Sequence, residues 1–256
     1  SYTLSPAMHN AAFQACNLNY VYVTFEVAPG FAQAAADGIR GLGLAGANVT
    51  KPLKTEILPY LDDLTDEAGQ IGSVNTIINQ SGKLTGASTD GIGLSRALEA
   101  WDVPVAGSHV LILGAGGAAR AACAMVDQAK AASTVVAARH RSRAEETASV
   151  GHATTVSFEP QEIKRAIQAA DLIINAVPVD LPLDASWFTP HQAVYDTRYD
   201  AGDTLLMRKA RSQGAQVSHG LDMLLFQGTA AFELWTGREA PVEVMRAVLE
   251  KGLEKR

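Results

Sequence analysis

The chain has 256 residues, of which 47% are hydrophobic and 19% charged, and its formal net charge is −6. This composition is ordinary for a globular protein with one large or two small domains, and the acidic balance gives no support for nucleic-acid binding. Two cysteines exclude a disulfide framework and a cysteine zinc site, and no apolar run reaches the ~18 residues that a membrane span needs.

With no signal peptide visible, we expect a cytoplasmic protein. The sequence does not open on methionine, so we expect its numbering to begin inside the natural chain.

The first ninety residues predict an α/β unit. A helix is expected over residues 6–16, with Ser5 as its N-cap and Pro6 in its first turn. Alternating apolar and polar residues predict a strand over residues 20–27. The other predicted elements are helices over 31–41, 52–61, 66–71 and 89–101, a short strand over 44–49, and a hairpin of 74–79 with 83–87.

A glycine-rich motif follows a short apolar run at residues 110–113, which predicts a buried parallel strand. Gly114, Gly116 and Ala119 fit the G-x-G-x-x-G/A pattern, and a helix is expected from about Ala118. The first glycine permits a tight turn, the second lets backbone N–H groups approach a pyrophosphate, and the alanine lets helix and strand pack closely. The motif predicts dinucleotide binding; a tight turn without a ligand is the alternative.

Strands and helices alternate after this motif, as in a Rossmann-type doubly wound parallel sheet. The predicted elements are strands over 134–138, 172–176 and 193–196 and helices over 160–170, 204–213, 221–236 and 241–254. We divide the chain into one α/β domain of residues 1–90 plus 221–256 and a nucleotide domain of residues 91–220. The closing helices are expected to pack on the first domain, which leaves an active-site cleft between the two domains.

The residues after the second nucleotide-domain strand favour NADP over NAD. That strand ends at Ala138 without an acidic residue, and Arg139-His-Arg-Ser-Arg143 follows. An Asp or Glu there would bind the ribose 2′-OH of NAD, whereas guanidinium groups bind a 2′-phosphate. A solvated basic helix start is the alternative. It is disfavoured because positive charge near a helix N-terminus is unfavourable unless it binds an anion.

Polar side chains gather in three loops of the first domain, at strand ends or helix starts, where α/β active sites form. They are Thr3 and Ser5; Asn48, Thr50 and Lys54; and Asn75, Thr89 and Asp90. A lysine beside an aspartate can act as an acid–base pair, in which the carboxylate orients the lysine toward a substrate oxygen. The hydroxyl and amide groups suit a polyhydroxylated ligand. Asp90 could instead simply cap the helix that follows it.

Seven stretches resemble the shikimate dehydrogenase family, over nearly the whole chain. They are Leu4-Ser-Pro-Ala-Met-His-Asn10, Asn48-Val-Thr-Lys-Pro-Leu-Lys54, Ile71-Gly-Ser-Val-Asn-Thr76, Ser88-Thr-Asp-Gly-Ile-Gly93, Gly114-Ala-Gly-Gly-Ala-Ala119, Ile174-Asn-Ala176 and Gly220-Leu-Asp-Met-Leu-Leu-Phe-Gln227. The resemblance implies reversible NADP-dependent reduction of 3-dehydroshikimate to shikimate, in aromatic amino-acid biosynthesis. It implies a small-molecule substrate, a monomer or homodimer, and no metal, nucleic acid or membrane partner.

The resemblance also implies roles for individual residues. Lys54 and Asp90 resemble the catalytic pair. The implied substrate-binding residues are Thr3, Ser5 and Tyr199 near a carboxylate and Thr50, Asn75 and Gln227 at hydroxyl groups. The implied cofactor-binding residues are Gly114, Ala115, Gly116, Gly117, Ala118, Ala176 and Val177, with Arg139 and Arg143 at the 2′-phosphate and Gly220 and Met223 near the nicotinamide.

Two other functions stay open. A quinate/shikimate dehydrogenase that uses NAD would carry an acid where Ala138 stands, although Thr3 in place of the family's usual Ser leaves quinate open. A non-catalytic NADP-binding sensor would have lost Lys54 or Asp90, and both are present. Further departures from the family pattern are Ser88, Val177 and Asp180, which stand where Asn, Thr or Ser, and Gly are usual.

Overall fold

The computed structural model describes residues 3–199 and 202–254. The chain divides into two compact units, Ser1–Gly93 with Leu225–Arg256, and Leu94–Leu224. The division made from sequence lies a few residues earlier at each boundary, after residues 90 and 220.

The helices of the described chain are α1 (Ser5–Ala15), α2 (Ala32–Gly41), α3 (Leu53–Glu56), α4 (Asp66–Ile71), α5 (Asp90–Ala100), α6 (Gly117–Gln128), α7 (Arg141–Ala148), α8 (Pro160–Ala169), α9 (Leu205–Ser212), α10 (Leu221–Thr236) and α11 (Val242–Leu253). The strands are β1 (Gly46–Asn48), β2 (Asp63–Leu64), β3 (Thr76–Gln80), β4 (Lys83–Ala87), β5 (His109–Leu113), β6 (Ser133–Ala137), β7 (Thr154–Val156), β8 (Leu172–Asn175), β9 (Ala193–Asp196) and β10 (Gln216–His219).

The first unit is built on a four-stranded sheet with the order β1-β3-β4-β2. The pairs β1–β3 and β3–β4 are antiparallel, whereas β2 runs parallel to β4. Its core joins Ala36 and Ile39 of α2 to Ile77 and Leu84 of the sheet. Helix α10 is fixed to this sheet by Trp235, whose Nε1 donates to the carbonyl of Ile77 at 2.9 Å.

The second unit carries a six-stranded, all-parallel sheet with the order β10-β9-β8-β5-β6-β7. Counted along the chain from β5, this is the 3-2-1-4-5-6 order of a doubly wound dinucleotide-binding sheet, so the predicted α/β fold class is confirmed. Strand order reverses between β5 and β8, and ligands bind such sheets beyond the carboxyl ends of the strands at that point. The apolar runs of the central strands are buried against α8 and α9.

The prediction of a strand over residues 20–27 was wrong. Within the described chain this segment pairs with neither sheet, and the side chain of Asn10 binds it instead, through the backbone N–H and C=O of Tyr22 at 2.7 and 2.9 Å. Period-two alternation is a property of the segment alone, whereas a strand also needs a neighbour with free backbone groups. Val21, Val23 and Phe25 remain exposed.

The predicted helix over residues 52–61 is two shorter pieces. Helix α3 ends at Glu56, and a 3-10 helix covers Leu58–Tyr60. Pro59 has no N–H to continue the α-helical hydrogen bonds, so the chain tightens around it. Three short strands went unpredicted, β2, β7 and β10, because two to four residues are too few for a periodic signal.

Candidate active site

Lys54 and Asp90 form an ion pair inside the first unit. Lys54 lies in α3 and Asp90 opens α5, and the lysine Nζ lies 2.5 Å from the Asp90 Oδ2. Their side chains are 18% and 10% exposed, so little water competes for the contact. The N-terminus of α5 favours the negative charge of Asp90. A charged lysine held in this way can give a proton to a substrate oxygen and take it back.

Asn75 joins this pair to Gln227, another residue predicted from the sequence. Its Nδ2 donates to the Asp90 Oδ1 at 2.9 Å and to the Gln227 Oε1 at 3.3 Å. Its Oδ1 accepts the backbone N–H of Thr89 at 2.8 Å, which fixes which face of the amide meets Asp90. The structure thus brings together Lys54, Asp90, Asn75 and Gln227, four of the side chains singled out from the sequence.

Thr3 and Ser5 place two hydroxyl groups side by side at the start of α1. Their oxygens lie 3.2 Å apart, and the Ser5 backbone N–H also donates to the Thr3 hydroxyl at 3.2 Å. The expectation that Ser5 is the N-cap was wrong, because Leu4 occupies that position and Ser5 is the first helical residue. Two adjacent hydroxyl groups at the start of an 11-residue helix suit a carboxylate.

The remaining predicted substrate residues are Thr50 and Tyr199. Thr50 is exposed, one residue before the Lys51–Pro52 cis peptide bond, and its hydroxyl has no hydrogen-bond partner among the described residues. Tyr199 is half-buried in the second unit, in the loop that follows β9.

Glu67 is a neighbour of Asp90 that sequence reasoning missed. Burial, and secondly the negative charge of Asp90, raise the pKa of the Glu67 carboxyl above its usual range. Glu67 lies in the first turn of α4, where an acidic residue is an ordinary feature of a helix start. The sequence therefore contained no signal that distinguished it.

The glycine loop connects β5 to α6 as the motif predicts. Gly114 has a φ of +116°, and a Cβ there would lie 3.3 Å from the carbonyl of Ala176 and from the side chain of Val177. Gly116 is the N-cap of the 12-residue α6, and no side-chain hydrogen bond caps this helix. Its first backbone N–H groups are therefore available to an anion. Ala115, Gly116, Gly117 and Ala118 are all partly exposed, and Ala119 is fully buried, as close packing requires.

The three arginines after β6 differ in their partners. Arg141 is engaged by Glu145, with 2.8 Å between Nε and Oε1. Arg139 and Arg143 are exposed and have no ion-pair partner among residues 3–199 and 202–254. Arg139 also lines a pocket of about 200 Å³ whose other walls are mostly apolar, formed by Phe158, Pro160, Ile163, Leu181, Pro182, Leu183 and Trp187. An apolar pocket beside an unpaired guanidinium fits the adenosine 2′-phosphate end of NADP.

Of the predicted nicotinamide-side residues, Ala176 and Val177 follow β8, Gly220 follows β10, and Met223 lies in the first turn of α10. The N–H of Val177 donates to the side chain of Asn175 at 3.1 Å, and the N–H of Met223 donates to the Tyr195 hydroxyl at 3.2 Å. At Gly220 a Cβ would lie 2.1 Å from the carbonyl oxygen of Thr197, so only glycine fits.

Asp180, which departs from the family pattern, forms an ion pair that the sequence did not indicate. Its carboxylate lies 3.0 Å from the Nη1 of Arg198, which also binds the fully buried Asp196 at 3.0 Å. Asp196 accepts a further hydrogen bond from the Thr204 hydroxyl at 2.7 Å. The contact ties the loop after β8 to the loop after β9.

The described part of the chain contains neither a membrane-spanning helix nor a cluster of metal-binding side chains. No helix there is long and apolar enough to cross a membrane. No group of three or more His, Cys, Asp or Glu side chains is placed there to hold a metal ion.

Family models match three parts of the chain. The shikimate dehydrogenase substrate binding domain matches residues 1–77. The shikimate/quinate 5-dehydrogenase model matches residues 97–186, and the shikimate 5′-dehydrogenase C-terminal domain matches residues 220–250.

Full-length relatives give the same family. The chain is 44% identical to the shikimate dehydrogenase (NADP(+)) of Moorella thermoacetica, over 98% of this chain and 90% of that protein. It is similar to the crystal structure of Thermus thermophilus shikimate 5-dehydrogenase in complex with NADP(H) and shikimate, with a TM-score of 0.89 and 32% identity over 98% and 95% of the two chains. Corynebacterium glutamicum quinate dehydrogenase in complex with NAD gives a TM-score of 0.88 and 30% identity over 98% and 95%. On this evidence the chain belongs to the shikimate dehydrogenase family.

Proposed function

We propose that this chain catalyses the reversible NADP-dependent reduction of 3-dehydroshikimate to shikimate, a step of aromatic amino-acid biosynthesis. The observation that carries the proposal is the largely buried Lys54–Asp90 pair, held by Asn75 beside Gln227. It occurs in a chain that is similar over nearly its full length to an NADP-dependent shikimate dehydrogenase.

The residues of the first unit, together with Tyr199, serve the substrate in this proposal. Lys54 gives a proton to the carbonyl oxygen as a hydride adds to the carbonyl carbon, and in the reverse direction it takes the hydroxyl proton. Asp90 holds the Lys54 amino group in position through their ion pair. Thr50, Asn75 and Gln227 bind substrate hydroxyls, whereas Thr3, Ser5 and Tyr199 bind its carboxylate. The substrate domain is residues 1–90 plus 221–256.

The residues of the second unit, 91–220 in the predicted division, and Met223 just after it hold the cofactor. When bound, NADPH supplies the hydride. The glycine loop, residues 114–118, and the start of α6 bind the pyrophosphate. Arg139 and Arg143 bind the 2′-phosphate, with the adenosine in the apolar pocket beside Arg139. Ala176, Val177, Gly220 and Met223 line the nicotinamide end.

Quinate oxidation with NAD is the second candidate, favoured by the likeness to the Corynebacterium glutamicum quinate dehydrogenase. Two observations oppose it: Arg139 has no ion-pair partner among the described residues, and alanine rather than an acidic residue stands at position 138. The test is the initial rate of nicotinamide reduction with shikimate and with quinate, each with NADP and with NAD. Activity confined to shikimate and NADP supports the proposal. Substantial rates with quinate or NAD support the second candidate, and NADP binding without any turnover supports a sensor.

We also propose a cytoplasmic setting and a monomer or homodimer. Cys16 and Cys123 are both free thiols, which suits a reducing compartment. One chain supplies both the substrate residues and the nucleotide residues, so the proposed chemistry needs no other protein. Light scattering on the purified protein determines the oligomeric state, and fractionation of the source cells determines the compartment.

A further inference from the structure

Four hydrogen bonds connect the hydroxyl of Tyr22 to the carboxylate of Asp90. The Tyr22 Oη donates to the Asn48 Oδ1 at 3.0 Å, and the Asn48 Nδ2 donates to the Thr76 Oγ1 at 3.1 Å. The Thr76 hydroxyl donates to the Asn75 Oδ1 at 3.0 Å, and the Asn75 Nδ2 donates to the Asp90 Oδ1 at 2.9 Å. Every donor in this chain points toward Asp90.

Backbone groups fix this direction. The Asn48 Nδ2 also donates to the carbonyl of Asn75 at 3.1 Å, and a carbonyl can only accept. The N–H of Thr89 donates to the Asn75 Oδ1 at 2.8 Å, and an N–H can only donate. Neither amide can therefore turn over without losing a backbone hydrogen bond.

The register of the first sheet brings together Asn48 and Thr76, the middle residues of this series of hydrogen bonds. Asn48 at the end of β1 lies directly opposite Thr76 at the start of β3, so their side chains meet on one face. Thr76 is fully buried and Asn75 is 4% exposed. Where water is largely excluded, each hydrogen bond strengthens its neighbours, and an unpaired polar atom is costly.

Tyr22, the first donor in this series of hydrogen bonds, is held in place by packing as well as by hydrogen bonds. Its ring stacks on the His9 ring, with centroids 4.7 Å apart and an angle of 8° between the planes. The Trp235 ring lies 6.1 Å away. Burial raises the pKa of Tyr22 to about 12, so the hydroxyl remains a donor at physiological pH.

We propose that Tyr22, Asn48 and Thr76 are positioning residues that hold the Asn75 amide on Asp90, and so keep Asp90 aimed at Lys54. This inference rests on the proposed function of the Lys54–Asp90 pair. Without the donation from Thr76, the Asn75 Oδ1 keeps its contacts to Thr89 alone. Its Nδ2 can then shift away from Asp90 toward its other acceptors, the Thr89 Oγ1 at 3.0 Å and the Gln227 Oε1 at 3.3 Å.

The test compares Tyr22→Phe and Thr76→Val with two controls. Tyr22→Phe keeps the ring and removes the hydroxyl, and Thr76→Val keeps the shape and removes the donor. Thr76→Ser restores the hydroxyl. Tyr20→Phe removes the hydroxyl of a nearby, 47% exposed tyrosine outside the chain of hydrogen bonds.

We expect Tyr22→Phe and Thr76→Val each to lower kcat for shikimate oxidation about 3- to 10-fold, the effect of one lost hydrogen bond. The KM for NADP should not change. Thr76→Ser and Tyr20→Phe should match the parent. Because the two residues act through the same series of hydrogen bonds, the kcat of the double variant should fall only as far as that of the slower single variant. Losses that multiply, or a Thr76→Ser variant as slow as Thr76→Val, would overturn the inference.

A second measurement does not depend on turnover. In the NMR spectrum of the free protein, Tyr22→Phe and Thr76→Val should shift the Asn75 side-chain amide protons and speed their exchange with water, whereas Tyr20→Phe should not. If the parent lacks shikimate activity, the proposed function fails, and the amide signals still decide the inference. Unchanged signals in both variants would overturn it. If Tyr22→Phe does not fold, the comparison of Thr76→Val with Thr76→Ser decides alone.

Discussion

Lys54 and Asp90 owe their chemistry to their surroundings more than to their residue types. The same pairing of types occurs between Lys83 and Asp63, where the atoms lie 3.5 Å apart and both side chains are more than half exposed. Exposed ion pairs of that kind contribute little to the stability of the fold, because water and salt screen the charges. The Lys54–Asp90 pair is shielded and is held by Asn75, so its geometry can persist through a reaction.

Lys54→Ala should lower kcat by about 10²- to 10⁴-fold, since it removes the group that exchanges a proton with the substrate oxygen. The protein should still fold and bind NADP. Steady-state kinetics with shikimate, together with a thermal melt and NADP titration, measure this. Lys83→Ala is the matched control and should leave kcat unchanged. Turnover near that of the parent in Lys54→Ala would remove Lys54 from the mechanism.

Arg139→Ala should raise the KM for NADP about 10-fold or more and leave the KM for NAD nearly unchanged. A hydrogen-bonded charge pair is worth roughly 1.5–3 kcal/mol, and only NADP carries the 2′-phosphate. Arg141→Ala is the control, because Glu145 already engages that guanidinium. Equal effects of Arg139→Ala on the two cofactors would exclude the 2′-phosphate role.

At the scale of elements, helix α1 combines a start that carries two hydroxyl groups with a buried middle. The Thr3 and Ser5 hydroxyls lie at its start, and one turn after Ser5 the side chain of His9 is fully buried. The His9 ring lies against Tyr22 and Trp235, and neither ring nitrogen has a hydrogen-bond partner among the described residues. Burial lowers the pKa of His9 from 6.5 to about 4.

This burial gives the fold a predictable sensitivity to acid. The folded protein keeps His9 neutral, whereas the unfolded chain protonates it below pH 6.5, so stability is lost as pH falls from 6.5 to about 4. His9→Phe should remove that contribution, about 3 kcal/mol across the window at 1.36 kcal/mol per pKa unit. Urea unfolding of both proteins at several pH values measures it. Parallel pH profiles for parent and variant would contradict the assignment.

At the scale of the whole molecule, cofactor binding should increase the thermal stability of the folded protein. A ligand that binds only the folded state stabilises it by about 2.7 kcal/mol at 100 times its Kd, which raises the Tm of a protein of this size by roughly 5–10 °C. NADP should raise the Tm more than NAD at the same concentration, and Arg139→Ala should reduce the difference. Differential scanning fluorimetry measures this without substrate. A larger shift with NAD would favour the second candidate.

The nucleotide sheet was predictable because its signals are local. Apolar runs of four or five residues, a glycine spacing set by a tight turn, and helices of regular period each lie within a dozen residues of sequence. The edge strands β7 and β10 were missed, since three or four half-polar residues resemble a loop until a neighbour pairs with them. The segment over 20–27 failed in the opposite way, with a strand pattern and no pairing partner.

By itself, the sequence determined the fold class and the succession of the main strands and helices along the nucleotide domain. It also determined the residue types available for proton transfer and phosphate binding. Only the tertiary structure decided which of those groups meet. Asn75 contacts Gln227 from 152 residues away along the chain. Glu145 forms an ion pair with Arg141, whereas Arg139 and Arg143 have no ion-pair partner in the part of the chain that the structure describes. The physical reason is that propensity and periodicity act between neighbours in sequence, whereas hydrogen bonds and burial act between neighbours in space, and packing sets which these are.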